Sequence, residues 1–254
     1  LAHDILFLTR GIPAVYYGDE VGMIGTGGDK AARQDMFPTA VSNWRTEDRV
    51  FGSPIGTGSS LTVTTDLSNR ITLLNALRKS NPALASGSQT TRVNDGNTLV
   101  VSRFDAASRT EYLVGFNSAT SAKSIKVVSA TPSSNWLPLL GGSNISSNSA
   151  GEVTLTIPAR STVVYKAASA LPLANDSVSV ALGASLDTSS SSVQLSAGVM
   201  NNDLGSVTFV AKKADGVWKA IGTDDSRSFG MTWDYRPFVG DAVPSGTKVS
   251  FAAI

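Results

Sequence analysis

The spacing of apolar positions divides the chain into a helical first part and a β-patterned remainder. Leu1, Ile5 and Leu8 recur at helical spacing, Arg10 sits in the last turn, and Gly11 fits the residue that ends a helix. Pro13 then opens a short run, Ala14-Val15-Tyr16-Tyr17, apolar on both faces and closed by Gly18, which predicts a strand buried inside a parallel sheet. Asp19 and Glu20 follow at once. A glycine-rich loop, Gly25-Thr26-Gly27-Gly28, then leads to Asp29 and Arg33, four positions apart. Polar groups at the carboxyl end of a buried parallel strand are where α/β barrels keep their ligand sites. Residues 38–66, with Trp44 and the Gly/Ser-rich stretch from Phe51 to Ser60, have no sustained period and predict a long loop. Helical spacing returns with Leu67, Ile71, Leu74 and Leu77, capped by Asp66 or Ser68 and stopped at Asn81-Pro82.

From residue 89 the period falls to two. Runs over Thr98–Phe104 and Tyr112–Asn117 flank a hairpin turn at Asp105–Ser108, and further strands are predicted at Ser124–Val128, Val153–Ile157 and Ser161–Lys166. Their regular spacing predicts an antiparallel sandwich. Residues 169–192, rich in Ala, Ser, Pro and Asn, predict a linker. The last part, with an alternating run at Val207–Ala211, a turn at Asp215-Gly216 and the aromatics Trp218, Phe229, Trp233 and Tyr235, predicts an immunoglobulin-like sandwich.

The Gly11-x-Pro13-x-x-Tyr16-Tyr17-Gly18-Asp19-Glu20 pattern resembles the eighth barrel strand of the alpha-amylase family of glycoside hydrolases. Arg33-Gln34-Asp35-Met36-Phe37 is most similar to bacterial, often secreted, amylase and pullulanase-type members, and Leu77-Arg78 through Asn81-Pro82-Ala83-Leu84 resembles the close of the family's eighth barrel helix. The closing Ile157-Pro158-Ala159-Arg160-Ser161-Thr162-Val163-Val164-Tyr165-Lys166 resembles the end of the domain that follows the barrel. The resemblance implies an α/β remnant of a TIM (β/α)8 barrel followed by two all-β antiparallel sandwiches. The expected boundaries are 1–86 for the barrel segment, 87–168 for the first sandwich, 169–192 for the linker and 193–254 for an Ig-like domain incomplete at its end. The chain is expected to be a fragment of a longer enzyme.

The resemblance also implies function. In the family, Asp and Arg spaced as Asp29 and Arg33 hydrogen-bond glucose units on the non-reducing side of the cleavage point, so these two are the candidate substrate-binding residues; spacing alone favours a surface ion pair, and the family match reverses that preference. A carboxylate accepts from vicinal hydroxyls and a guanidinium donates several bonds, which suits a sugar. Retaining glycoside hydrolysis needs two carboxylates about 5–5.5 Å apart. The family draws these from barrel strands that would precede Leu1, so no catalytic residue is expected here and the chain alone is expected to be inactive. Glu20, just after the strand, is expected to anchor its loop through backbone N–H groups. His3-Asp4 imitates the family's Asn-His-Asp motif but lies in a helix with Ala2 at the asparagine position, so His3 is read as a packing or surface residue. Many relatives bind calcium between the barrel and an inserted domain; that insert is not in this chain, so calcium concerns the parent enzyme, and no cofactor or metal is expected here.

Composition adds exclusions. The 21 Lys+Arg against 20 Asp+Glu leave a net charge of +1 and no basic field for nucleic acid. Cysteine is absent, which removes disulfides and thiolate chemistry. No stretch has the length of a membrane span. The expected partner is an α-glucan polysaccharide or oligosaccharide met by a monomer, with no nucleic acid or membrane, outside the cell or in the periplasm. Gly25–Gly28 is followed by no Gly-Lys-Ser/Thr, so it is not read as a phosphate loop. Trp218, Trp233 and Tyr235 have two readings, a sugar-stacking platform or core packing; the alternation Phe229, Met231, Trp233, Tyr235 puts four side chains on one strand face and favours core. The rival to an enzyme is a non-catalytic carbohydrate-binding or scaffold protein built of sandwiches.

Overall fold

A computed structural model describes residues 1–171, 180–199, 205–214, 216–226, 228–239 and 246–254. The chain divides into two compact units, Leu1–Ser86 and Gly87–Ile254.

The first unit holds five α-helices: α1 (Ala2–Leu8), α2 (Asp29–Ala32), α3 (Ser42–Thr46), α4 (Asp66–Ser80) and α5 (Pro82–Ser86). Its small apolar centre is Phe7, Leu8, Val21, Leu74, Ala83 and Leu84. α1 ends at Leu8, ahead of Gly11, because Thr9 turns to extended backbone while its hydroxyl donates to the Ile5 carbonyl. The cap of α4 is Thr65 rather than Asp66 or Ser68: its hydroxyl accepts from the Ser68 N–H, and the Ser68 hydroxyl accepts in return from the Thr65 N–H. At the other end Arg78 donates to the carbonyls of Phe7, Leu84, Gly11 and Ala85, and the Asn81 amide donates to Leu77 O at 2.9 Å. The Leu-Arg and Asn-Pro-Ala-Leu ending thus stitches α1, α4 and α5 together.

The strand expected at Ala14–Tyr17 does not form. Residues 12–16 carry no regular structure, with Ile12 95% and Tyr16 70% exposed. A strand of a parallel sheet needs neighbours on both sides to accept and donate its backbone bonds. The first unit offers only isolated bridges, Met23 with Arg49 and Arg49 with Gly52.

Among the described residues, the strands of the second unit all pair antiparallel. Its strands are β1 (Ser88–Asn94), β2 (Thr98–Asp105), β3 (Thr110–Asn117), β4 (Lys123–Val128), β5 (Asn135–Leu140), β6 (Ile145–Ser146), β7 (Glu152–Ile157), β8 (Ser161–Ala167), β9 (Val180–Asp187), β10 (Ser192–Val199), β11 (Val207–Lys213), β12 (Lys219–Asp224), β13 (Phe229–Asp234) and β14 (Val249–Ala253), with a short α6 (Arg236–Val239) between the last two. A six-stranded sheet in the order β1-β2-β3-β8-β5-β6 faces the pair β4-β7. Val100, Leu113, Trp136, Val163 and Tyr165 from one layer meet Val127, Val153, Leu155 and Ile157 from the other. β3 lies at the centre, and all eight of its residues are buried. Glu111 closes one end of this core: its carboxylate accepts from Arg92 Nη2 at 3.2 Å, Ser102 Oγ at 2.5 Å and Thr131 Oγ1 at 2.8 Å.

The last sandwich sets β13-β10-β9 against β12-β11-β14. Val193, Leu195, Ala197, Phe229 and Trp233 pack on Val207, Phe209 and Ala211. Trp233 is core, its ring edge-on to Phe238 and Phe251 at 5.2 and 5.6 Å between centroids. Trp218 departs from that reading: it is 46% exposed with Lys212 Nζ 4.9 Å above its ring. The stretch expected to be a linker, 169–192, contains β9, which pairs along its length with β10. Its Val180, Leu182, Ala184 and Leu186 alternate as strand residues do, but Ser and Gly between them and an exposed setting hide the period. Asp215 and residues 172–179 lie outside the described residues, so the Asp215-Gly216 turn and that part of the linker carry no structural statement.

Candidate functional site

Gly18 begins the polar segment. Its φ of +91° suits glycine, and a Cβ there would sit 2.4 Å from the Met23 sulfur. Its N–H donates to Glu20 Oε2 at 2.9 Å, so Glu20 folds back on its own loop as expected of an anchor. The Glu20 carbonyl accepts from Thr65 Oγ1 at 2.6 Å, which ties the loop to the start of α4. Asp19 points the other way: its Oδ2 lies 2.7 Å from His3 Nε2 on α1. His3 therefore packs against the loop, in line with its reading as a packing residue.

Asp29 and Arg33 come together on α2 and the residue that follows it. Arg33 Nη2 donates to Asp29 Oδ2 at 2.7 Å, and the two side chains are 63% and 77% exposed for Arg33 and Asp29. The pair projects into solvent with four guanidinium N–H groups and one carboxylate oxygen free of each other. The segment that carries this pair is tied on either side to Glu47, which the sequence did not single out. Glu47 Oε1 accepts from the Thr26 N–H at 2.9 Å and from the Thr26 hydroxyl; Glu47 Oε2 accepts from the amide of buried Gln34. Burial pushes the Glu47 carboxyl up, but the Thr26 hydroxyl and N–H, the Gly25 N–H and the charge of Arg49 outweigh it and hold its pKa below the ordinary carboxylate value. Arg49 in turn donates to Ser60 Oγ at 2.7 Å. No short motif announces this clamp, because Glu47 meets its partners across 21 and 13 residues.

A second polar link lies beneath. Asp4, 2% exposed, receives Arg70 Nε and Nη2 at 2.7 and 2.8 Å, a two-pronged pair joining α1 to α4. The hydrogen bonds to Asp4 raise the Arg70 pKa against the lowering effect of burial. Among the described residues no group of three or more His, Asp or Glu side chains is placed to hold a metal ion. None of the described helices is long and apolar enough to cross a membrane.

Known proteins match this chain over all or part of its length. It is 35% identical to an alpha-amylase of Streptomyces lividans over 257 residues, a match covering 100% of the chain and 28% of that protein. It is 29% identical to a cyclomaltodextrin glucanotransferase of Niallia circulans over 163 residues, 62% of the chain and 19% of that protein. The chain thus spans less than a third of the length of either relative. Among solved structures, an Anoxybacillus alpha-amylase superposes with a TM-score of 0.50 at 18% identity, over 67% of the chain and 32% of that protein, a likeness of fold alone. No protein-family model matches. By the match that runs its full length, the chain is similar to a part of an alpha-amylase, in keeping with the resemblance to that family of glycoside hydrolases in its sequence.

Proposed function

We propose that this chain is the carboxyl-terminal portion of a retaining glycoside hydrolase acting on α-glucans such as starch, maltodextrin or pullulan, and that its contribution to that activity is a glucose-binding pair, Asp29 and Arg33. In this reading residues 1–86 are the last strand, loop and helix of a (β/α)8 barrel, and Ala14–Tyr17 becomes a strand when neighbouring barrel strands pair with it. Residues 87–168 form the sandwich after the barrel. A further sandwich, which β9 extends back to Val180, ends the chain. The nucleophile and general acid reside outside it. The parent enzyme works as a monomer outside the cell or in the periplasm, with any calcium held elsewhere in it.

The observation that carries the reading is the exposed Asp29–Arg33 pair on a loop pinned by Thr26 and Gln34 to Glu47. A pair made only for stability has no need of so firmly held a loop, since exposed ion pairs contribute at most about 1 kcal/mol. The 35% identity to an alpha-amylase supports the α-glucan assignment. The isolated chain is expected to release no reducing sugar from starch, maltodextrin or pullulan, because both carboxylates that the reaction requires are elsewhere. The intact enzyme is expected to lose about ten- to a hundred-fold in kcat/KM on long maltodextrins with Asp29→Ala or Arg33→Ala, since a bond to a charged group is worth about 1.5–3 kcal/mol. Short substrates that never reach the pair are expected to be spared. Hydrolysis by the isolated chain, or equal loss on short and long substrates, refutes the proposal.

A further inference from the structure

The loop from Thr26 to Gln34 carries both candidate sugar contacts, yet among the described residues the side chains of Asp29 and Arg33 bond to each other and not to a group that fixes the loop. Its two ends converge on one carboxylate. Thr26 approaches Glu47 Oε1 from before α2 and Gln34 approaches Oε2 from after it, so Glu47 closes a ring around the segment. Gln34 is 4% exposed and therefore fixed in place, whereas Thr26 stands in a run of glycines, Gly25, Gly27 and Gly28, all at positive φ. Such a run has more backbone freedom to lose than any other composition. Without Glu47 the Thr26 end has no side-chain tether among the described residues.

We propose that Glu47 is a positioning residue for sugar binding: it bridges Thr26 and Gln34 so that Asp29 and Arg33 are presented in one geometry. The proposal rests on the reading of Asp29 and Arg33 as the glucose-binding pair. Binding by a pre-arranged pair avoids the ordering cost that a loose loop meets when sugar arrives, and a remote glucose unit can then help orient the reacting centre. Glu47 itself touches no substrate in this scheme. Its effect must therefore follow the pattern of the pair it positions, strong on long glucans and weak on short ones.

The intact enzyme with Glu47→Leu is expected to lose about tenfold in kcat/KM on long maltodextrins, less than or equal to the loss from Asp29→Ala, and under about twofold on a short maltooligosaccharide. Glu47→Gln is expected to keep most of the activity: its carbonyl still accepts from Thr26, and its amide donates to the Gln34 side-chain oxygen once that amide turns over. In this chain, amide exchange at Thr26 is expected to quicken in Glu47→Leu and to stay slow in Glu47→Gln, with exchange across α4 unchanged in both. If Asp29→Ala and Arg33→Ala lose long-substrate activity while Glu47→Leu keeps it, the positioning role is wrong and the binding reading stands. If Asp29→Ala and Arg33→Ala lose nothing, the binding reading falls and the positioning role falls with it. Loss in Glu47→Gln as large as in Glu47→Leu shows that charge, not the bridge, matters and also overturns the proposal.

Discussion

Polar side chains reaching across long stretches of sequence hold residues 1–86 together, whereas apolar side chains meeting between two sheets hold residues 87–168. In the first unit Arg70 grips Asp4 across 66 residues and Arg78 reaches Phe7 across 71, while the buried apolar set is short and Ile12, Tyr16, Phe37 and Phe51 stand exposed. In the sandwich the exposed apolar residues are few and the centre, from Val100 to Ala167, is closed. Burial is roughly proportional to stabilisation, and a polar link nets only about 1 kcal/mol after its groups leave water. The first unit is thus ordered in detail yet short of driving force, as a segment of a larger layered structure would be.

The sharpest way to test that contrast is to open the sandwich. Trp136 on β5 is fully buried, and its indole N–H donates to Ser147 Oγ at 3.3 Å. Trp136→Ala leaves a cavity where nothing can follow and is expected to cost about 3–5 kcal/mol, read as a fall in the denaturation midpoint of the second unit. Native-state amide exchange should also separate the regions without any substitution: amides of α4 are expected to exchange faster than those of β3. Equal protection would erase the contrast.

Much of this fold was legible in the sequence, and the exceptions have physical causes. α4 and strands β2, β3, β4, β7 and β8 follow from the period of their apolar positions. β1, Ser-Gln-Thr-Thr-Arg-Val-Asn, is polar and is paired through backbone to β2; β5 carries Pro138 and shifts register beside it. Neither announces itself. The run Ala14–Tyr17 reads as a buried strand because its composition suits one, but strand character belongs to the pairing and the first unit supplies none. At the candidate site, Asp29 and Arg33 were legible because four residues of spacing is local information. Glu47 was not, since only the folded chain brings it to Thr26 and Gln34.

Within the first unit, cutting one polar link should cost less than opening the sandwich but more than any surface change. Arg70→Met keeps the aliphatic stem over α1 and strands the buried Asp4 carboxylate without its two-pronged partner. About 2–3 kcal/mol is expected, since a hydrogen bond to a charged group is worth roughly that and Arg70 is partly in water. The measurement is the exchange rate of α1 and α4 amides, with β3 as the internal control. If α1 is unmoved, apolar contacts alone hold it and the contrast between the units weakens.

Acid should reach the two regions through different groups. The folded pKa of Glu47 lies below its ordinary value, so its clamp contributes stability above the unfolded carboxylate pKa and loses it as pH falls through the folded value. Asp187, the last residue of β9, is held down at about 2 by the hydroxyls and N–H groups of Ser189 and Ser190. Lowering pH below the ordinary carboxylate value of 4.5 is therefore expected to speed relative exchange at Thr26, whereas Ser189 is expected to respond only as pH approaches about 2. Simultaneous loss would mean that Thr26 and Ser189 report one global transition rather than two local ones.

The smallest effect on stability is expected where the largest effect on function has been proposed. Asp29 and Arg33 form an i,i+4 pair with both side chains mostly in water, the setting in which such pairs contribute about 0.2–0.5 kcal/mol. Salt screens them further. Asp29→Ala should therefore leave the melting behaviour of this chain within about 0.5 kcal/mol of the parent, even at low ionic strength. A loss above about 1 kcal/mol would place Asp29 among the structural links of the first unit, beside Asp4 and Glu47. An unchanged stability together with a loss confined to long glucans would separate the pair from that framework and leave sugar contact as the role that accounts for both.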